Sequence, residues 1–530
     1  MRIMRVGVRC ACVRLCVARV RKLSKSLPPV PETKPRKMLE KLAKQTAIYG
    51  ISTIVVRLLS YLLTPLYTRV FGQAAYGVVT DVYALIPFAL VVLSMGMESS
   101  YFRFAAKADA EGGTEAEISK RKRHLFATTW GATLVAASIF FLCVVLLRED
   151  IARLMGEAYV GNEEYVVLVA SIILFDVATM IPFSRLREQG RALKFVSLKA
   201  CNVVINVGLA VAFHATGLFE SEFGVGWVFV TNLVASVATL LLILPTTERT
   251  IPRIDSAQLR RIFAYSLPLL IGGIAGTANE FIDRQMIKYL LPEDISMAQL
   301  GIYGAITKIA VVMTLFTQMY RLAAEPFFLS NFTKEEFVES NAAALKYYMM
   351  ASMMIFLGIA LFRDVFALIV GRDFREGIYI LPVILGANVL AGVWLNLSFW
   401  YKREEKTRFA IYVTFVGLAV TVVANVALLP RWGYYGAAWA RFVAEAAMVG
   451  VSYYLNRRYF PTPYDVGRIV EYVALGLALF LLSEALLPHL SKTMAFGVNV
   501  VIFSLFVAYA IWREKIDIKG LVGSALHRKR

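Results

Sequence analysis

Apolar runs of about 20 residues recur along this chain, and no other feature constrains its fold as much. Two of them stand together between Thr46 and Phe104, in TAIYGISTIVVRLLSYLLTPLYTRVFGQAAYGVVTDVYALIPFALVVLSMGMESSYFRF, joined by the short connector RVFGQAAYG. At about 1.5 Å of rise per residue, a helix of that length crosses a hydrocarbon core of roughly 30 Å. The 530 residues are 58% hydrophobic and 18% charged, against about 45–50% and about 25% in soluble domains. The excess apolar surface calls for lipid.

About fourteen such spans are predicted, at roughly 46–68, 77–97, 125–147, 165–183, 195–215, 225–244, 262–282, 300–320, 346–362, 378–400, 409–429, 434–455, 468–488 and 494–512. The predicted fold class is all-α integral membrane. Helices satisfy their backbone within each segment, and the alternation of a membrane β-barrel is absent. The basic residues fall in alternate connectors: RKR at 121–123, RLREQGRALK at 185–194, Arg249 to Arg261, KREEKTR at 402–408, and Arg457 with Arg458. By the positive-inside rule these connectors are cytoplasmic, and an even number of spans puts both basic termini there too.

The pattern repeats. Tyr76-Gly77-Val78 at the second span resembles Leu300-Gly301-Ile302-Tyr303 at the eighth, RLREQGRALKF matches YKREEKTRF in position, and Gly226 opens the sixth span as Gly436 opens the twelfth. This suggests a basic leader at 1–37, six-helix bundles at 38–245 and 246–460, two additional transmembrane helices at 461–515 and a basic tail at 516–530. Met38, followed by LEKLAKQTAIYG, reads as the natural start. In transporters, such repeats place the substrate site at their interface.

The net charge of +19 is accounted for by these loops, and no module with interleaved aromatics points to nucleic acid. Cys10, Cys12 and Cys16 lack metal or disulfide spacing; Cys143 and Cys201 read as packing residues, and the four histidines are scattered. No Walker loop, dinucleotide fingerprint or HExxH occurs, and no connector is long enough for a soluble catalytic domain. A transporter is expected rather than an enzyme, with no cofactor and no metal.

Ionisable residues inside spans carry the remaining information, because each costs several kcal/mol in lipid unless paired, hydrated or functional. Arg57 lies about eleven residues, or roughly 16 Å, into the first span. It either pairs with a carboxylate or binds an anion in a central cavity, where its planar fork suits phosphate. Arg284, beside Asp283, and the deeper Lys308 are further cation candidates. Asp176, Glu98 and Glu325 could bind a proton or sodium ion and couple its gradient to transport, or serve as counter-ions. Lys199 could snorkel, Arg441 and Glu445 can pair along one helix face, and Glu471 and Glu484 read as edge residues. Prolines such as Pro87, Pro182 and Pro268, and Gly272, Gly273 and Gly276, would permit bending or close packing.

On PLYTRVFGQAAYGV at 65–78, on FIDRQMIKYLL followed by LGIYGAITKI, and on GRDFREGIYILPVILGANVLAGVWLNLSFWYKREEKTRF at 371–409, the chain resembles the O-antigen and capsule flippase family. The likeness extends over roughly residues 40–515. It implies the superfamily that also holds toxin-extrusion drug exporters and the peptidoglycan lipid flippase. It further implies alternating-access translocation of a polyprenyl-diphosphate-linked oligosaccharide across the bacterial inner membrane, beside a glycan polymerase and other assembly proteins. Cationic cavities are typical of that family, so Arg57, Arg284 and Lys308 become the expected diphosphate site. A cation-coupled multidrug exporter of the same fold is the alternative; a glycan-assembly membrane enzyme or scaffold fits the buried charges less well.

Overall fold

A computed structural model of the protein describes residues 61–248, 250–328, 333–406 and 408–515. These are helical almost throughout, with no strand among the described residues. The principal helices are α1 (Leu63–Val70), α2 (Gln73–Ser94), α3 (Met97–Ala110), α4 (Glu115–Leu146), α5 (Glu163–Glu188), α6 (Ala192–Ala215), α7 (Gly226–Ile243), α8 (Ser256–Leu290), α9 (Glu293–Ile309), α10 (Val311–Phe328), α11 (Lys334–Ala360), α12 (Leu381–Leu397), α13 (Arg408–Trp432), α14 (Tyr434–Tyr459), α15 (Val466–Leu486) and α16 (Lys492–Glu514).

Among the described residues, eleven helices or helix runs are long and apolar enough to cross a membrane. The bent pair α9 and α10 brings the number to twelve. Helix α14, which carries Arg441 and Glu445, falls short of that apolar standard but packs along α12 and α13. The first predicted span lies mostly outside the described residues. Large apolar side chains point outward, among them Val423 at 70% and Val204 at 64% exposure. A hydrocarbon solvent covers such a surface; water would not. Cys143 and Cys201 are exposed as well, so they are not the packing residues the apolar runs suggested.

Helices α4, α5, α6 and α7 pack in sequence, with α2 against α5. Helix α8 then runs beside α2, α9 and α13, while α11 and α14 flank α12. Helices α4 and α11 both start on a capping box, Thr114 with Glu117 and Thr333 with Glu336, in which side chain and backbone satisfy each other's orphan groups. Pro87, Pro182 and Pro268 do lie inside helices, whereas Pro382 occupies the first turn of α12, where no N–H is needed.

Helices α2 and α9 cross with their backbones in close approach, at the end remote from the basic connectors. A Cβ on Gly77 would lie 2.0 Å from the Met297 carbonyl oxygen, and one on Gly301 would lie 2.0 Å from that of Gln73. Each glycine faces the residue four before the other. Gly304 likewise lies against Thr80, where a Cβ would meet Oγ1 at 2.3 Å. Gly272 and Gly276, in contrast, have nothing within 4 Å of an added Cβ, so close packing in this bundle is not their role.

Helices α15 and α16 dock on α11. Glu514, with its side chain only 4% exposed, accepts from Lys346, Arg468 and Tyr472. Glu471 pairs with Arg513 at 3.0 Å, and Glu484 with Arg363 at 2.9 Å. The two residues read as edge groups thus fasten the added helices to each other and to the bundle.

Candidate functional site

A cavity of about 540 Å³ opens among α1, α2, α6, α7, α8 and α9. Arg284 from α8 and Lys308 from α9 both line it, so the structure brings together two of the three cations expected to bind phosphate. Arg57 lies outside the described residues. The Lys308 ammonium sits 4.9 Å from the Tyr61 ring centroid, a cation–π distance. The rest of the lining is uncharged, with Tyr67, Tyr76 and Tyr83, Asn202, Asn206 and Asn232, and Thr64, Thr80 and Thr277 beside aliphatic residues such as Leu63 and Val79. Among the described lining residues there is no carboxylate. Asn202 and Asn206 share a face of α6, being four residues apart. Asn202 donates to Thr239 at 2.9 Å.

Asp283 stands behind Arg284 and is 2% exposed. It accepts from Tyr303 of α9 at 2.8 Å, with guanidinium nitrogens of Arg284 at 3.8 Å and of Arg441 at 4.0 Å. Arg441 belongs to a second cavity, of about 260 Å³, which Asp283, Asn388, Thr317 and Glu445 also line. One buried carboxylate therefore ties Arg284 of the larger cavity to Arg441 of the smaller. Arg441 reaches Asn388 of α12 at 3.3 Å, so it is engaged across helices, beyond the local pairing with Glu445 that sequence spacing allowed. Between the cavities the α9–α10 span breaks by 50°. The carbonyl of Ala310 accepts from Asn388 at 3.4 Å. A broken membrane helix is tolerated where a neighbour or a polar cavity takes up the freed backbone groups.

A second buried cluster joins α2 to α8 near the glycine crossing. Asp81 accepts from Lys288 at 2.5 Å, Gln285 at 2.6 Å and the Tyr159 hydroxyl at 2.7 Å. The Asp81 and Lys288 side chains are 2% and 4% exposed. Removing one member of such a pair strands the other in a dry site. Lys288→Met is expected to lower stability by about 3 kcal/mol. The double change Asp81→Leu with Lys288→Met should cost clearly less, as read by thermal unfolding of the purified protein. Equal or greater loss in the double variant would contradict a charge-driven contact.

The three candidate coupling carboxylates occupy different settings. Asp176 lies at the middle of α5, half-buried, and accepts from Ser236 of α7 at 2.7 Å, with Lys199 as the neighbouring cation. Lys199 packs 4.3 Å over the Phe183 ring. Asn232, one turn before Ser236 on the same face of α7, lines the larger cavity, so Asp176 bonds a residue one helical turn along from its wall. Glu98 pairs with Arg187 at 2.6 Å, and Glu325 with Lys402 at 2.8 Å. These two pairs match in position, since each joins the end of a second or eighth span to the connector after the fourth or tenth. Sequence reading missed Asp81, Lys288 and Gln285, and it did not single out Tyr159 or the cavity tyrosines. The rule that flags ionisable groups within apolar runs applies to Asp81 as well as to Asp176.

This helical arrangement has counterparts among known proteins. The fold is similar to that of lipid II flippase MurJ in an inward closed conformation, with a TM-score of 0.70 and 12% identity over 88% of this chain and 99% of that one. It is also similar to an inward-facing multidrug resistance MATE family transporter of the MOP superfamily, with a TM-score of 0.62 and 15% identity over 79% of this chain and 99% of the other. In sequence, 425 residues are 21% identical to the probable low-salt glycan biosynthesis flippase Agl15 of Haloferax volcanii, covering 79% of this chain and 83% of that protein. Residues 42–332, more than half of the chain, match the family described as polysaccharide biosynthesis protein. With that match on a polytopic helical fold shared with flippases and exporters, the chain belongs to the polysaccharide biosynthesis protein family.

Proposed function

We propose that this protein is a flippase that carries a polyprenyl-diphosphate-linked oligosaccharide, an O-antigen, capsule or exopolysaccharide unit, across the bacterial plasma membrane by alternating access. It acts as a transporter rather than an enzyme, with the basic connectors and both termini in the cytoplasm and a glycan polymerase among its functional neighbours. The observation that carries this reading is the larger cavity, which has Arg284 and Lys308 in its lining and no carboxylate among the described lining residues. A diphosphate is an anion suited to such a lining, since a guanidinium can hold it through two parallel hydrogen bonds and an ammonium adds a point charge. Arg57 would complete the cation set. Tyrosine faces and asparagine amides suit the apolar faces and hydroxyls of sugars. The glycan flippase relative and the MurJ-like fold support the same substrate class.

Coupling to a proton or sodium gradient fits Asp176 best, since it lies at the middle of α5, bonded to Ser236 one turn along α7 from the cavity wall, with Lys199 nearby. Glu98 and Glu325 already hold basic partners at the bundle end. The test is translocation of a fluorescent polyprenyl-diphosphate oligosaccharide by the protein in liposomes, with and without imposed gradients. Flipping that an imposed gradient accelerates, and that Asp176→Asn uncouples, is the expected result. The fold shared with a multidrug transporter makes cationic dye efflux the competing outcome; efflux without glycan-lipid flipping would replace this reading.

A further inference from the structure

The basic end of the bundle holds a pocket separate from both central cavities. Lys107 of α3, Lys120, Arg121 and His124 of α4, and Arg261 of α8 surround about 380 Å³. Glu111 is the one carboxylate among the described lining residues, and Phe104 and Leu125 give the pocket an apolar side. Four permanent cations therefore face one acid. Glu111 is shared between Arg121 at 3.1 Å and a looser contact with Lys107 at 3.9 Å.

Several cations nearby are neutralised within the protein. Lys122 pairs with Asp109 and Glu188, Arg123 and Arg185 with Glu248, and Arg187 with Glu98. Lys120 and Arg261 differ: among the described residues neither makes an ion pair, and both are exposed. The pocket wall is held in place beneath them. Asp255 caps α8 through the backbone N–H groups of Ala257 and Gln258, and its other oxygen lies 2.8 Å from His124 Nε2. Charge left uncompensated, a concave shape and a fixed wall distinguish this place from an ordinary solvated basic loop.

We propose that this pocket binds the phosphate of an anionic lipid headgroup at the membrane surface. Arg121 and Arg261 offer planar donors that match phosphate oxygens, and Lys107 and Lys120 supply point charges. Phe104 and Leu125 would lie against the first carbons beyond the phosphate. The position, at the ends of membrane helices α3, α4 and α8, is where headgroups lie. Two sources share this chemistry: a bilayer phospholipid, and the diphosphate of a lipid-linked glycan before it reaches the central cavity. The phospholipid source does not depend on the transport reading; the glycan-lipid source rests on it.

The test is calorimetric titration of the purified full-length protein with short-chain phosphatidylglycerol, a short-chain polyprenyl diphosphate and inorganic phosphate. The variant is Lys120→Gln with Arg261→Gln, both exposed, so that folding is spared. Each arm is repeated on Arg284→Ala, so that the central cavity does not mask the result. A loss of roughly 30-fold in affinity for a lipid is expected, from the attraction of two basic residues to an anionic surface. Loss for phosphatidylglycerol alone assigns the pocket to bilayer lipid, and loss for the polyprenyl diphosphate assigns it to the substrate. Unchanged affinity for both lipids, or inorganic phosphate binding as tightly as either lipid, overturns the proposal.

Discussion

Arg284→Ala is expected to reduce flipping of a polyprenyl-diphosphate glycan by about 100-fold while the protein still folds and inserts. The expectation rests on removing one of two cations from a cavity lined by no carboxylate among the described residues. Losing one partner of a desolvated charge pair costs about 2–5 kcal/mol, which spans that factor. Folding should survive because Asp283 keeps Tyr303 at 2.8 Å and Arg441 at 4.0 Å. Arg284→Lys keeps the charge and loses the planar fork, so it should recover part of the rate. Lys308→Ala should act in the same direction. Initial flipping rates in liposomes, corrected for reconstituted protein, decide the matter. Near-normal flipping by Arg284→Ala would remove this residue from the diphosphate site.

The second large effect belongs to the α2–α9 crossing. Gly301→Ala places a methyl group 2.0 Å from the Gln73 carbonyl oxygen and 3.0 Å from the Gly77 nitrogen. These are backbone atoms, so no side-chain rotation relieves the clash and the helices must separate. Overpacking of this kind exceeds the usual range of about 1–3 kcal/mol. Folded yield in detergent should fall sharply. Gly77→Ala should do the same against Met297, and the pair should be less damaging than the sum, since one separation accommodates both methyl groups. Gly276→Ala, with nothing within 4 Å of the added carbon, is the control expected to be silent. Additive losses in the double variant would mean that the two glycines do not report one contact.

Much of this architecture was legible because lipid imposes a simple rule on sequence. Runs of about 20 apolar residues had to be helices, and the basic residues marked alternate connectors. Arg284 and Lys308 stood out because a cation in such a run needs a reason to be there. Lys288 did not, because a lysine two residues from the end of α8 looks able to reach water. Only the fold, which brings Asp81 to it across 207 residues, turns it into a buried partner. The carboxylates were legible as positions and not as environments. Glu98 and Glu325 were placed alike at the ends of related spans, but their basic partners lie on connectors whose approach no periodicity reveals. The glycines were visible as a repeated motif, yet repetition alone does not say that the two copies touch.

That contact has a consequence for how such a chain could have arisen. Gly77 rests on the residue four before Gly301, and Gly301 on the residue four before Gly77. A contact that maps onto itself when its two sides are exchanged is the mark of a twofold interface between identical subunits. Two copies of a half-length ancestor could have met through this surface before fusion joined them into one gene. Separately expressed halves, 38–245 and 246–460, would then retain the means to find each other in a bilayer.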